Sequence, residues 1–264
     1  MKPKLNEVLG DLATEGDLLD AMVAPLDDAG WHLATPAEGW DIAHQVAHLA
    51  WTDEVAVIAA TDADGWHALV EKAAGDPYGF VDASATEGAA ADPGELLDRW
   101  RSVRAALTEA LANHPAGEKI PWFGPPMSAT SMATARFMET WAHSLDVAET
   151  LGRPPVPSDR VRHVVHLGVR TRDFAFVTNG LEVPSEEFRV ELVAPSGERW
   201  TYGPDAATQT VRGSAYDFCL LVTQRRHRAD LDLTATGTDA EQWLVIAQAF
   251  AGPSGEGRAP ERTG

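Results

Sequence analysis

The chain has 264 residues, enough for two modest domains or one large one, and its 44% hydrophobic content is that of an ordinary globular protein. Forty Asp and Glu against 21 Lys and Arg leave a formal net charge of -19, which argues against nucleic acid or an anionic membrane as partner, because both reward positive charge. A single cysteine, Cys219, excludes an internal disulfide framework and a cysteine-based zinc site. No run of about 18 apolar residues is present. The start, Met1 to Glu7, lacks the apolar region of a signal peptide, so a cytoplasmic monomer or homodimer is the expectation.

In chain order, Leu5, Val8, Leu9, Leu12, Leu19, Met22, Val23 and Leu26 recur at helical spacing and predict an amphipathic helix over about 4–28, stopped at Gly30. A second helix is expected from about Trp40 to Ala60; its apolar residues cover most of its circumference, which makes it central. A short helix around 66–74 follows, and 75–91, rich in Gly, Ala, Asp and Ser, reads as a long loop. Asp92-Pro93-Gly94-Glu95 opens a third long helix with an N-cap aspartate and proline at its first position. Ile120 to Met127 carries three prolines and cannot be helix; it reads as a packed connector, with a pocket wall as the alternative. Ser128 caps a fourth long helix that ends at Leu151-Gly152.

Arg153 to Ser158 is a stiff proline-rich linker, and beyond it the pattern changes. A helix over 158–177 precedes an alternating strand at Phe188–Val193 and a hairpin partner at Arg199–Tyr202. A further strand at 208–211, a helix at 215–223, a strand at 231–236 and a last helix from Asp239 to Phe250 complete an α+β pattern. The expected organisation is a four-helix bundle over 1–152, a linker over 153–158, an α+β domain over 159–250 and a disordered tail over 251–264.

Two helical segments carry the candidate chemistry. Glu139 and His143 are four residues apart and share a helix face, and His48 sits in a segment apolar on nearly every side. Two imidazoles and a carboxylate make a divalent-metal site with open positions. The competing readings are a hydrogen-bonded core histidine and a surface Glu/His pair. These weaken because Phe137, Met138 and Trp141 surround Glu139, and a buried glutamate without a partner is costly. His44, four before His48, is an alternative ligand, a residue supporting a ligand, or an exposed bystander. Asp146 either orients an imidazole or is a surface carboxylate. Asp53 and Glu54 read as solvated, and Trp51 and Trp141 as wall packing.

The run Gly39-Trp40-Asp41-Ile42-Ala43-His44-Gln45-Val46-Ala47-His48-Leu49-Ala50-Trp51 resembles the first metal segment of the DinB-like superfamily, most closely its mycothiol-dependent maleylpyruvate isomerase group. Glu139-Thr140-Trp141-Ala142-His143-Ser144-Leu145-Asp146-Val147-Ala148 resembles the second. The resemblance implies His48, Glu139 and His143 as ligands of a divalent metal, usually zinc, within a DinB-like bundle over about 5–152. For 158–250 it implies a sterol-carrier-protein-like α+β domain.

The activity so implied uses a low-molecular-weight thiol, mycothiol, as cosubstrate. Metal coordination deprotonates the thiol, and the sulfur attacks an electrophilic carbon of a small molecule for isomerisation or transfer. Arg225 and Arg226 are candidates for binding anionic groups of thiol or substrate. Two competing functions remain. One is a thiol-independent metal-dependent lyase, hydrolase or cyclase of small-molecule metabolism. The other is a non-enzymatic carrier or resistance protein.

Overall fold

The computed structural model describes residues 4–76, 79–252, 255 and 257–261. It divides into two compact units, residues 1–155 and 156–264, so the break falls within the proline-rich run.

The first unit is helical. Helix α1 (Leu5–Val23) is followed by a single turn, α2 (Asp28–Trp31), so the expected helix over 4–28 ends sooner and Gly30 lies inside that turn. Helix α3 (Ile42–Thr61) starts at Asp41, whose carboxylate accepts from the His44 backbone N–H. Residues on every side of α3 are buried, as expected of a central helix. It is flanked by α4 (Ala63–Gly75), α5 (Phe80–Ala89) and α6 (Pro93–Asn113). Helix α7 (Ala129–Thr150) is capped by Ser128. Helices α1, α3, α6 and α7 form the bundle, with α3 packed on α6 and α7, and α1 on α7. Its core includes Leu19, Ile42, Val46, Leu49, Leu96 and Trp100.

The expected loop over 75–91 is instead mostly α5, residues 77 and 78 lying outside the described residues. Small residues misled the expectation: they serve close packing of α5 on α3. A Cβ on Gly88 would lie 3.0 Å from the Ala47 Cβ.

In the second unit, α8 (Arg162–Arg170) and α9 (Arg172–Thr178) precede a four-stranded mixed sheet. The strands are β1 (Phe188–Val193), β2 (Arg199–Tyr202), β3 (Gln209–Ser214) and β4 (Leu233–Thr236), in the order β2-β1-β3-β4. β1 runs parallel to β3; the other pairings are antiparallel. Helices α10 (Ala215–Val222) and α11 (Thr238–Ile246) pack on it around Phe218 and Trp243. Cys219 is wholly buried in α10, and burial pushes its thiol well above the usual range, which suits a packing residue rather than a nucleophile. Of the tail expected to be disordered, residues 253, 254, 256 and 262–264 lie outside the described residues. Glu261 is tied down, its N–H donating to Asp230 (2.8 Å) and its carboxylate pairing with Arg226.

Candidate metal centre

Packing α3 against α7 brings His48 to Glu139 and His143, which lie 91 and 95 positions further along the chain. His48 Nε2 and His143 Nε2 each stand 3.3 Å from the same oxygen, Glu139 Oε2. One potential ligand atom from each of the three lies within 4.8 Å of the others. Both histidines are buried, whereas the Glu139 side chain keeps 19% of its surface accessible, so the cluster is open on one side. Burial raises the pKa of Glu139, but hydrogen bonds from His143 and His48 and the charge of Arg136 outweigh it, and the carboxyl is held well below its usual range.

The His143 ring is oriented through a chain of hydrogen bonds. The Thr35 hydroxyl donates to the Trp40 carbonyl (2.8 Å), and the Gln45 amide donates to the Thr35 oxygen (2.9 Å). That fixes the Gln45 carbonyl toward His143, where it accepts from Nδ1–H at 2.5 Å. With its Nδ1 proton so held, His143 can donate from Nε2 to Glu139 only as an imidazolium; as a neutral ring it turns the Nε2 lone pair toward that oxygen. That arrangement is repulsive unless a proton or a cation lies between them, so the three residues fit a divalent cation by their own hydrogen bonding. Trp40 braces both imidazoles, stacked on His143 at 5.9 Å and tilted against His48 at 5.3 Å between ring centroids. His48 Nδ1 is buried without a hydrogen-bond partner among the described residues, so on that side of the ring only packing holds it.

The other candidates are placed as follows. His44 turns away to Asp41, its Nδ1 2.6 Å from Oδ1, and His32 takes the other oxygen of the same carboxylate at 3.0 Å. It is therefore a capping partner, not a member of the cluster. Asp146 is buried, not a surface carboxylate. Asp53, expected to be solvated, is 3% exposed and lines a cavity of about 220 Å³ with Trp100, Arg104 and Thr140. Glu54 forms a two-pronged pair with Arg99 (2.7 and 2.5 Å). In the second unit, Arg225 donates to the Thr223 carbonyl (2.9 Å) and Arg226 pairs with Glu261.

Two site residues escaped the sequence reading. Gln45 is three before His48, and Arg136 three before Glu139, so both share a face with a ligand candidate, which is the signal that finds them. Arg136 is 4% exposed; its Nη2 lies 3.7 Å from Glu139 Oε1 and its Nη1 4.0 Å from Asp53 Oδ1.

Residues 12–148 match the family model described as the mycothiol maleylpyruvate isomerase N-terminal domain. The chain belongs to that family. Both metal segments lie inside the match, as does all of α3. Residues 184–236 also match a model described as wyosine base formation, which spans β1 to β4. Two uncharacterized proteins, from the CDC 1551 and H37Rv strains of Mycobacterium tuberculosis, are 57% identical over 250 residues, covering 95% of this chain and 97% of each relative. The crystal structure of a mycothiol-dependent maleylpyruvate isomerase aligns at TM-score 0.60 and 18% identity over 88% of this chain and 93% of its own. A mutant of that enzyme aligns at TM-score 0.58 and 16% identity with the same coverage. This likeness spans bundle and α+β unit and shows a shared fold. No helix among the described residues is long and apolar enough to cross a membrane.

Proposed function

We propose that this family member is a metal-dependent enzyme that uses mycothiol to isomerise or conjugate a small electrophilic substrate. His48, Glu139 and His143 are its ligands for a divalent cation, zinc by the donor set. The observation that carries the reading is the single carboxylate oxygen 3.3 Å from two imidazole nitrogens, one of them with its proton held on the far side by Gln45. Family membership favours mycothiol over water as the molecule placed at the open side.

A divalent cation there supplies a Lewis acid that lowers the pKa of a coordinated thiol, whose free form ionises only near about pH 8.5. The chain's own residues do the rest. Arg136 and the imidazoles keep Glu139 ionised, Gln45 keeps the Nδ1 proton of His143, and Trp40 packs against both rings and holds them in place. Arg225 and Arg226 are proposed to bind anionic ends of thiol or substrate. The two units are read as a metal-binding domain over 1–152 and an α+β domain over 159–250, joined by the linker at 153–158, in a cytoplasmic protein.

The test is cobalt substitution. Adding mycothiol to the cobalt form is expected to produce a sulfur-to-metal absorption band, absent in His48→Ala. No spectral change at saturating mycothiol sinks the thiol reading.

A further inference from the structure

The segment Ile120 to Met127 is pinched at its base, where the two end residues exchange both backbone hydrogen bonds (2.8 and 2.9 Å). The residues between them form a closed, proline-stiffened loop that presents Trp122 and Phe123. Trp122 stacks on Trp66 with 6.1 Å between centroids and 15° between planes. Phe123 lies 5.0 Å from Trp66 and meets Phe80 edge-on at 6.1 Å. Phe80 in turn meets Trp51 edge-on at 5.2 Å, and the Trp51 ring is 6.3 Å from that of His48.

The other end of this row also reaches the cluster. The Arg136 guanidinium lies 5.8 Å from the centre of the Trp122 ring, and its Nη2 is 3.7 Å from Glu139. The contacts therefore run unbroken from His48, through the five rings of Trp51, Phe80, Phe123, Trp66 and Trp122 and a guanidinium, to Glu139. A run of adjacent part-exposed apolar rings is the arrangement that marks a ligand-binding surface, where singly scattered ones need no explanation. Here Trp66 and Phe80 are buried and anchor the row, whereas Phe123 is 45% exposed and Trp51 and Trp122 are half-buried, and the row ends on two candidate ligands.

We propose that this collar is the substrate-selecting subsite of the metal centre, and that it takes a flat aromatic ring with the substrate's reactive end at the open side of the cluster. The proposal rests on the metal-enzyme reading above. Aromatic rings pair with flat π systems in offset or edge-on geometry that a puckered ring of equal carbon count cannot match. A small dicarboxylate uses none of these faces.

The test uses the metal-loaded full chain and calorimetric titration with three carboxylates: cinnamate, 3-cyclohexylpropionate and maleate. The first two share the carboxylate and the carbon count, so their difference reads the flatness of the ring together with its conjugated side chain. Cinnamate is expected to bind about tenfold more tightly than either of the others. Phe123→Ala and Phe123→Leu are both expected to weaken cinnamate about tenfold while maleate stays within about twofold. Because Phe123 is exposed, the melting temperature should hold in both variants. Equal or tighter binding of 3-cyclohexylpropionate or maleate overturns the proposal, as does unchanged cinnamate affinity in the two variants. The thiol reading fails separately. Preference for cinnamate without a thiol band on cobalt leaves the collar standing, and a thiol band without that preference removes the collar alone.

Discussion

Two carboxylates in the α3–α7 interface flank one arginine and differ in state. Glu139 has two imidazole nitrogens 3.3 Å from one oxygen and Arg136 3.7 Å from the other, and it is held well below the usual carboxylate range. Asp53 has Arg136 Nη1 at 4.0 Å from Oδ1 and, among the described residues, no hydrogen bond to that oxygen. Burial there outweighs the arginine and pushes its pKa up to about 7. Both are desolvated, so burial alone does not set the outcome. What separates them is the number of donors within hydrogen-bond reach. The charged carboxylate can hold a cation; the other is a latent charge that costs stability when it ionises.

Glu139→Gln breaks the comparison most severely. It keeps the shape and removes the charge, and should weaken metal binding by more than about a hundredfold, beyond what loss of an outer hydrogen bond produces. Metal analysis after dialysis against a weak chelator measures it, and full retention of metal would remove Glu139 from the ligand set.

Asp53 sets the pH dependence. Its folded pKa of about 7 lies above the reference 3.8, so between those values the folded state binds the extra proton. Stability should therefore fall as pH rises from about 4 to about 7, and level off above, by at most about 4 kcal/mol. Asp53→Asn should flatten that slope and be more stable than the parent at pH 8. Denaturant titrations across the range measure this, and an unchanged slope in the variant would show that another group carries the effect.

The smallest effect sharpens the Glu139 side. Gln45→Leu removes the acceptor for His143 Nδ1–H and should cost about ten- to a hundredfold in metal affinity with the fold intact. His44→Ala, whose ring is bound to Asp41 instead, should leave metal affinity unchanged in the same assay.

Much of this was legible in the sequence. The apolar circumference of α3, the caps at Asp92 and Ser128, and the four-residue step from Glu139 to His143 are local patterns, and the helices form accordingly. Residues 80–89 misled because Gly, Ala and Ser serve equally as loop formers and as the small surface one helix needs to approach another; Gly88 against Ala47 is the second case. Asp53 misled because a carboxylate is solvated by default, and its burial depends on α1, α6 and α7 closing around α3.

By itself the sequence determined the helices, the residue types offered on each face and the acidic surface, because these depend on neighbours within a turn or two or on composition. Only the tertiary structure decided that His48 meets Glu139 and His143, that Gln45 rather than Asp41 or His44 serves the cluster, and that a proline-stiffened loop carries its rings to the same place. Those facts depend on the register of α3 against α7, set by packing among side chains about ninety residues apart, where local periodicity carries no information.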